Sequence, residues 1–240
     1  VTIMPWWEVE ISCTKESYKM NKLKNTMHSR REILAGIGLG ALGVIGLSSI
    51  GDKFSNNTLT STWDGDTSTP FPNVTIYTHE GKAVRFYDDL IRDKVVAINM
   101  MYAQCGDTCP KTTANLLAVQ NMLGERAGRD VFMYSITLQP ELDTPAVLKH
   151  YAENFGIRGN WKFLTGAPDD IELLRRKLGF FDYEAELDAA KDNHTGMVRI
   201  GNAALDRWSM APSLADPEQI MATINHLDPK ATHTFHNNYA

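Results

Sequence analysis

Two short β-branched runs, Val74–Thr78 and Ala83–Phe86, flank His79-Glu80-Gly81-Lys82. With glycine in the connection, this is a hairpin signal. The next run differs: Val95-Val96-Ala97-Ile98-Asn99-Met100-Met101 is nearly continuous in apolar residues, as expected of a central parallel strand covered on both faces. Leu116, Leu117, Val119 and Leu123 then recur at helical spacing and predict an amphipathic helix over Thr112–Leu123. Asp130–Thr137 reads as a second buried strand, and Asp143-Thr144-Pro145 as the start of a helix over Ala146–Phe155. Trp161–Thr165 is a third strand, Pro168 opens a helix through Leu178, and Gly196–Ile200 with Leu205–Met210 makes an antiparallel pair. A closing helix runs over Pro217–His226. This order predicts an α/β fold: a mixed central sheet flanked by helices, with an N-terminal hairpin extension. In such sheets ligands gather at the carboxyl ends of the parallel strands.

The chain before the hairpin has a different character. Residues 1–26 show no periodicity and begin with Val1, so we read them as an N-terminal extension and expect the made protein to start at Met20 or Met27. In residues 27–51, Arg30-Arg31 precedes a Gly- and Ala-rich apolar run ending near Ile50. This is similar to a twin-arginine export signal, with retention as an N-terminal membrane anchor as the alternative. Either outcome puts the folded part in the bacterial periplasm or on the periplasmic face of the inner membrane. Residues 52–72, rich in Ser, Thr, Asn, Asp and Pro, read as a linker. The folded domain is expected over 73–228, followed by a polar flexible tail at 229–240.

Composition narrows the chemistry. With 240 residues, 43% of them hydrophobic and 22% charged, the chain has enough apolar material for one substantial core. Its net charge is −5, and no basic stripe interleaved with aromatics stands out, so nucleic acid is not an expected partner. Of three cysteines, Cys13 lies in the N-terminal extension, while Cys105 and Cys109 fall where the central strand gives way to a helix. Pro110 suits the first position of that helix, which puts Cys109 near its N-cap. There the macrodipole and unpaired amides favour thiolate over thiol, with Asp107 opposing. A static disulfide across four residues closes a very small loop and constrains the unfolded chain little, so the pair reads as reactive rather than structural.

Four stretches carry a resemblance: Tyr102-Ala103-Gln104-Cys105-Gly106-Asp107-Thr108-Cys109-Pro110; Ser135-Ile136-Thr137-Leu138-Gln139-Pro140-Glu141-Leu142-Asp143-Thr144-Pro145; Trp161-Lys162-Phe163-Leu164-Thr165-Gly166; and Asn193-His194-Thr195. In order and spacing the chain resembles the Sco/SenC family, thioredoxin-like copper-binding proteins that serve assembly of cytochrome c oxidase. The resemblance implies a thioredoxin-like fold and copper ligation by Cys105, Cys109 and His194. Three positions depart from the family pattern: Gly106 for proline, and Gln139 and Asn193 for aspartate. None removes a ligand.

Two thiolates and an imidazole suit Cu(I) and also hold Cu(II), whereas a structural zinc site would want a fourth Cys or His. Met100, Met101 and Met197 read as core filler before thioethers. His226 belongs to the closing helix, and His233 and His236 to the tail. Asp143-Thr144-Pro145 reads as a helix cap. Two functions compete. One is a metallochaperone that passes copper to an apo copper enzyme such as oxidase subunit II. The other is a thiol-disulfide oxidoreductase in which Cys105 and Cys109 are the redox-active, catalytic pair acting on that target's cysteines. Both imply a periplasmic thiol reductant as a partner.

Overall fold

The computed structural model describes residues 59–194 and 196–230. The N-terminal extension with Cys13, the twin-arginine segment 27–51, and His233 and His236 lie outside the described residues. Among the described residues no helix is long and apolar enough to cross a membrane.

The elements are β1 (Thr75–Thr78), β2 (Ala83–Arg85), β3 (Val95–Met101), α1 (Thr108–Leu123), β4 (Val131–Thr137), α2 (Pro145–Asn154), β5 (Lys162–Gly166), α3 (Pro168–Lys177), α4 (Ala185–Ala189), β6 (Met197–Asn202), β7 (Arg207–Pro212) and α5 (Pro217–Leu227). The seven strands form one sheet in the order β2-β1-β5-β4-β3-β6-β7. β3, β4 and β5 run parallel, and the hairpin β1-β2 and the pair β6-β7 join antiparallel on either side. Each predicted strand is present within a residue or two.

β3 is buried at all seven positions, because both faces of the sheet are covered. Val95, Ala97 and Met101 face a core shared with α1, α2 and α5. Val96, Ile98 and Met100 face the opposite core, with Ile171 and Leu174 of α3 and Phe86, Leu90 and Ile91 of the π-helical turn that follows β2. That two-sided burial explains the near-continuous apolar run. Met101 thus shares a core with both cysteines, while Met100 is buried on the far side.

Three buried polar side chains at the middle of this sheet satisfy one another. Trp161 Nε1–H donates to Ser135 Oγ at 2.9 Å, and Ser135 Oγ–H donates to Asn99 Oδ1 at 2.7 Å. Asn99 and Ser135 are register partners on β3 and β4. This buried chain ties the middle strands together, since an unmet buried polar group is costly.

The end of the linker lies on this domain. Phe71 is buried and packs edge-on to Trp208 with ring centroids 4.7 Å apart. The fully buried Asp170 carboxylate accepts from Ser61 Oγ at 2.5 Å, Thr62 N at 2.9 Å and Thr62 Oγ1 at 2.9 Å.

Candidate metal centre

β3 ends at Met101 and the chain turns at once, with Cys105 N–H donating to Tyr102 O at 3.2 Å. α1 then begins at Thr108, with Asp107 at the N-cap position. The helix therefore starts two residues before Pro110, and Cys109 lies inside its first turn rather than at the cap. The unpaired amides of that turn are directed at the other sulfur: Cys109 N–H donates to Cys105 Sγ at 3.3 Å. Desolvation pushes the Cys105 thiol up. The Cys109 and Asp107 amides, with hydrogen bonds from the side chains of Cys109 and Tyr102, outweigh it and hold the thiol below its ordinary range. The activated sulfur is thus Cys105, with Cys109 as its donor, where sequence reasoning had favoured Cys109. No disulfide joins the two. Cys105 is 9% exposed and Cys109 1%, so Cys105 is the more accessible residue of the pair.

The loop is braced from two sides. Asp143 is fully buried, and its carboxylate accepts from Ala103 N–H at 3.0 Å and from Thr137 Oγ–H at 2.5 Å. This corrects the reading of Asp143-Thr144-Pro145 as only a helix cap. Thr144 alone caps α2, through a long 3.4 Å bond from Val147 N–H. Asp143 instead joins the cysteine loop to the carboxyl end of β4. On the other side, Thr112 Oγ1 lies 2.9 Å from Ser213 Oγ, and the Asn115 amide donates to the Ser213 and Ala215 carbonyls. These bonds fasten the first turns of α1 to the loop after β7. A Cβ at Gly106 would meet nothing within 4 Å, so nothing packs against the position where the family pattern has proline.

His194 is held elsewhere in the fold. It ends a 3-10 turn, Lys191–His194, between α4 and β6, and its side chain is 5% exposed. Its Nε2 lies 2.8 Å from the Asp188 carbonyl, and Arg175 Nη1 lies 3.2 Å from Nε2 and 3.5 Å from Nδ1. Arg175 is gripped by Asp188 at 2.7 and 2.9 Å and by Glu172 at 2.8 and 2.7 Å, and it donates to Phe180 O at 2.7 Å. The Arg175 guanidinium, joined by Arg176, holds the Asp188 carboxyl well below the usual carboxylate range. Residues of this network line a cavity of about 650 Å³ with Leu138, Pro140 and Tyr183. Among the described residues no group of three His, Cys, Asp or Glu side chains is placed to hold one ion. The structure therefore brings Cys105 and Cys109 together and leaves His194 bound to Arg175 and Asp188. His226 is exposed at the end of α5.

A family model described as SCO1/SenC matches residues 66–227. The chain belongs to the SCO1/SenC family. A relative, the SCO1 protein homolog of Bacillus subtilis, is 31% identical over 105 residues, which are 43% of this chain and 53% of the relative. The match thus spans about half the length of that relative. Solved family structures share the fold. Bradyrhizobium japonicum ScoI, with copper bound, superposes with a TM-score of 0.50 at 22% identity over 63% of this chain and 95% of that one. BsSco, a Sco-family cytochrome c oxidase assembly protein in which a disulfide switch was identified, superposes with a TM-score of 0.51 at 22% identity over 62% and 88%. The seven-stranded sheet flanked by helices is accordingly the thioredoxin-like Sco fold.

Sequence reasoning missed Tyr102, Asp143, Arg175 and Asp188. Asp143 had one signal, an acid within a motif otherwise explained by Thr144. Arg175 and Asp188 had none, because each stands in a run of like residues: Arg175-Arg176-Lys177, and the acids of Asp182–Asp188.

Proposed function

We propose that this SCO1/SenC protein is a copper metallochaperone. It takes up copper on Cys105, Cys109 and His194 and passes it to an exported copper enzyme, the binuclear copper site of cytochrome c oxidase subunit II. The observation that carries this reading is the thiol pair. Two unbridged sulfurs lie at the carboxyl end of a central parallel strand, Cys105 in the loop and Cys109 in the first turn of α1, whose amides favour the Cys105 thiolate. Paired thiolates are a soft donor set that prefers Cu(I), and an added imidazole extends it to Cu(II). The bound copper in the Bradyrhizobium relative supports the same cargo. The work is done in the periplasm or on the periplasmic face of the inner membrane, after export or anchoring through residues 27–51. A periplasmic thiol reductant keeps the pair reduced there.

A second reading has its own observation. A low-pKa Cys105 beside Cys109 is the arrangement of a thiol-disulfide oxidoreductase, and the disulfide switch of the BsSco relative is in line with it. In that reaction Cys105 thiolate attacks a target disulfide and Cys109 resolves the mixed disulfide. The target gains two thiols, the pair becomes a disulfide, and the thiol reductant restores it.

The variant His194→Ala separates the two. Under the copper reading it keeps a reversible Cys105–Cys109 disulfide, loses most Cu(II) binding, and fails to restore oxidase in a deletion strain. Full restoration of oxidase by His194→Ala would overturn the chaperone function and promote the oxidoreductase.

A further inference from the structure

We propose that the cavity between the β4–α2 loop, α3 and α4 is a docking groove for a partner protein, entered by a segment that carries basic residues beside apolar ones. Such a groove serves copper transfer and disulfide exchange alike.

The groove, of about 650 Å³, adjoins the thiol end of the sheet. Leu138 and Glu141 form one wall, Ile171 and Glu172 of α3 another, and His194 lines it as well. Leu138 N–H donates to Met101 O at 2.7 Å, where β3 gives way to the cysteine loop. Two residues past Glu141, the Asp143 carboxylate holds the Ala103 amide of that same loop. A segment seated in the groove therefore lies against the backbone that supports Cys105.

As a piece of protein core the groove is unfinished. α4 buries no residue. Tyr183, which lines the groove, is 92% exposed, and Leu142, next to Glu141, is 52% exposed. Phe181 packs edge-on to Tyr183 with ring centroids 5.1 Å apart. Exposed apolar side chains gathered around a cavity mark a binding surface, and aromatic ones are frequent anchors of protein interfaces. A small ligand is enclosed by its pocket. Here the apolar surface runs out past the mouth on Tyr183, which suits a chain segment longer than the cavity.

Charge selects the occupant. The groove is lined by the carboxylates of Glu141, Asp169, Glu172, Asp182 and Asp188 against two guanidiniums, Arg175 and Arg176. Both arginines are already paired with Glu172 and Asp188. Glu141, Asp169 and Asp182 are exposed and have no ion-pair partner among the described residues. Asp169 is favoured by the macrodipole in the first turn of α3, whereas Glu141 and Asp182 are outside the helices. Lysine or arginine on the incoming segment supplies the missing cations. A second copy of this chain, with net charge −5, brings like charge to the same mouth.

The test uses the full chain, reduced and metal-free, as wild type, Tyr183→Ala, and Glu141→Gln combined with Asp182→Asn. Asn keeps the acceptor for Glu184 N–H, and circular dichroism checks folding. The probes are fluorescent peptides titrated by anisotropy: Gly-Lys-Phe-Leu-Lys-Gly, its acidic counterpart Gly-Glu-Phe-Leu-Glu-Gly and its polar counterpart Gly-Lys-Ser-Ser-Lys-Gly. The basic apolar peptide should bind, more weakly as salt is added, and should shift the NMR signals of the Ile171 methyls and the His194 ring. Its affinity should fall about tenfold in Tyr183→Ala and about two- to fivefold for each charge removed. No binding, equal binding of either counterpart, affinity unchanged in both folded variants, or shifts confined to another face overturns the groove. A dimer of the free chain that the peptide dissociates, seen by sedimentation, assigns the groove to a second copy. Tighter peptide binding by Lys53→Ala combined with Phe54→Ala assigns it to the chain's own preceding segment, and either result overturns the partner. The readout needs neither copper nor thiol, so Cys105→Ser protein should bind the peptide as wild type does, and failure of the copper reading leaves the groove standing.

Discussion

Removing the Asp143 carboxylate tests how the cysteine loop is held. In Asp143→Ala, Ala103 N–H loses its acceptor at 3.0 Å and Thr137 Oγ–H loses its acceptor at 2.5 Å. Hydrogen bonds to charged groups contribute about 1.5–3 kcal/mol each. Ala103 is half-buried and can recruit water, which brings the pair to the lower end, about 3 kcal/mol in total. For a domain of this size each kcal/mol moves Tm by about 2–4 °C, so a fall of roughly 6–12 °C is expected. Asp143→Asn keeps one acceptor oxygen and should lose about half as much. Thr144→Ala is the contrast: it removes only the long 3.4 Å capping bond and should cost about 0.5–1 kcal/mol. Urea denaturation with unchanged m-values measures all three. The loosened loop should also expose Cys109, which alkylation would then reach faster than in wild type. An Asp143→Ala variant no less stable than Thr144→Ala would refute the bracing role and return Asp143 to the helix cap.

Four further outcomes are expected. Iodoacetamide should modify Cys105 well before Cys109, with a pH midpoint below the ordinary thiol value of about 8.5, because hydrogen bonds hold the Cys105 thiol down; equal rates at both sulfurs would contradict the assigned asymmetry. That depressed thiol also fixes a sign: its contribution to stability is present above the unfolded thiol pKa and is lost as pH falls through the folded one, and a shallow loss of this kind in urea melts of Cys105 against Cys105→Ser protein checks it. Copper affinity should fall steadily from pH 8 to pH 5 as protons compete for sulfur and imidazole, and a flat profile by chelator competition would point to other ligands. Asp170→Ala removes the acceptor that holds Ser61 and Thr62, so limited proteolysis should cut near residue 62 sooner and stability should drop by about 1–3 kcal/mol; an unchanged cleavage pattern would show that the linker does not depend on this carboxylate.

The local pattern alone determined the elements that lie within one sheet or helix. The run Val95–Met101 announces burial on both faces because a strand between two helical layers has no solvent side for polar residues. The two cysteines could be placed at its carboxyl end because strand end and helix start are both sequence-local features. Even there, which sulfur is activated depended on where α1 begins: a start at Thr108 directs the Cys109 amide at Cys105 Sγ, and a shift of two residues at a helix end lies within the uncertainty of any pattern.

What only the tertiary structure decided are the pairings across distance. Nothing near Asp143 says that its carboxylate will meet the Ala103 amide forty positions earlier, and nothing in Asp182–Asp188 distinguishes the one acid that meets Arg175. Side-chain identity states what a residue can bond to, and the fold alone states what lies within three ångströms of it. His194 shows the difference most sharply. Its motif suggests a ligand, while its present partners, a guanidinium on α3 and a carbonyl on α4, exist only because the exposed segment between α3 and β6 folds back onto α3.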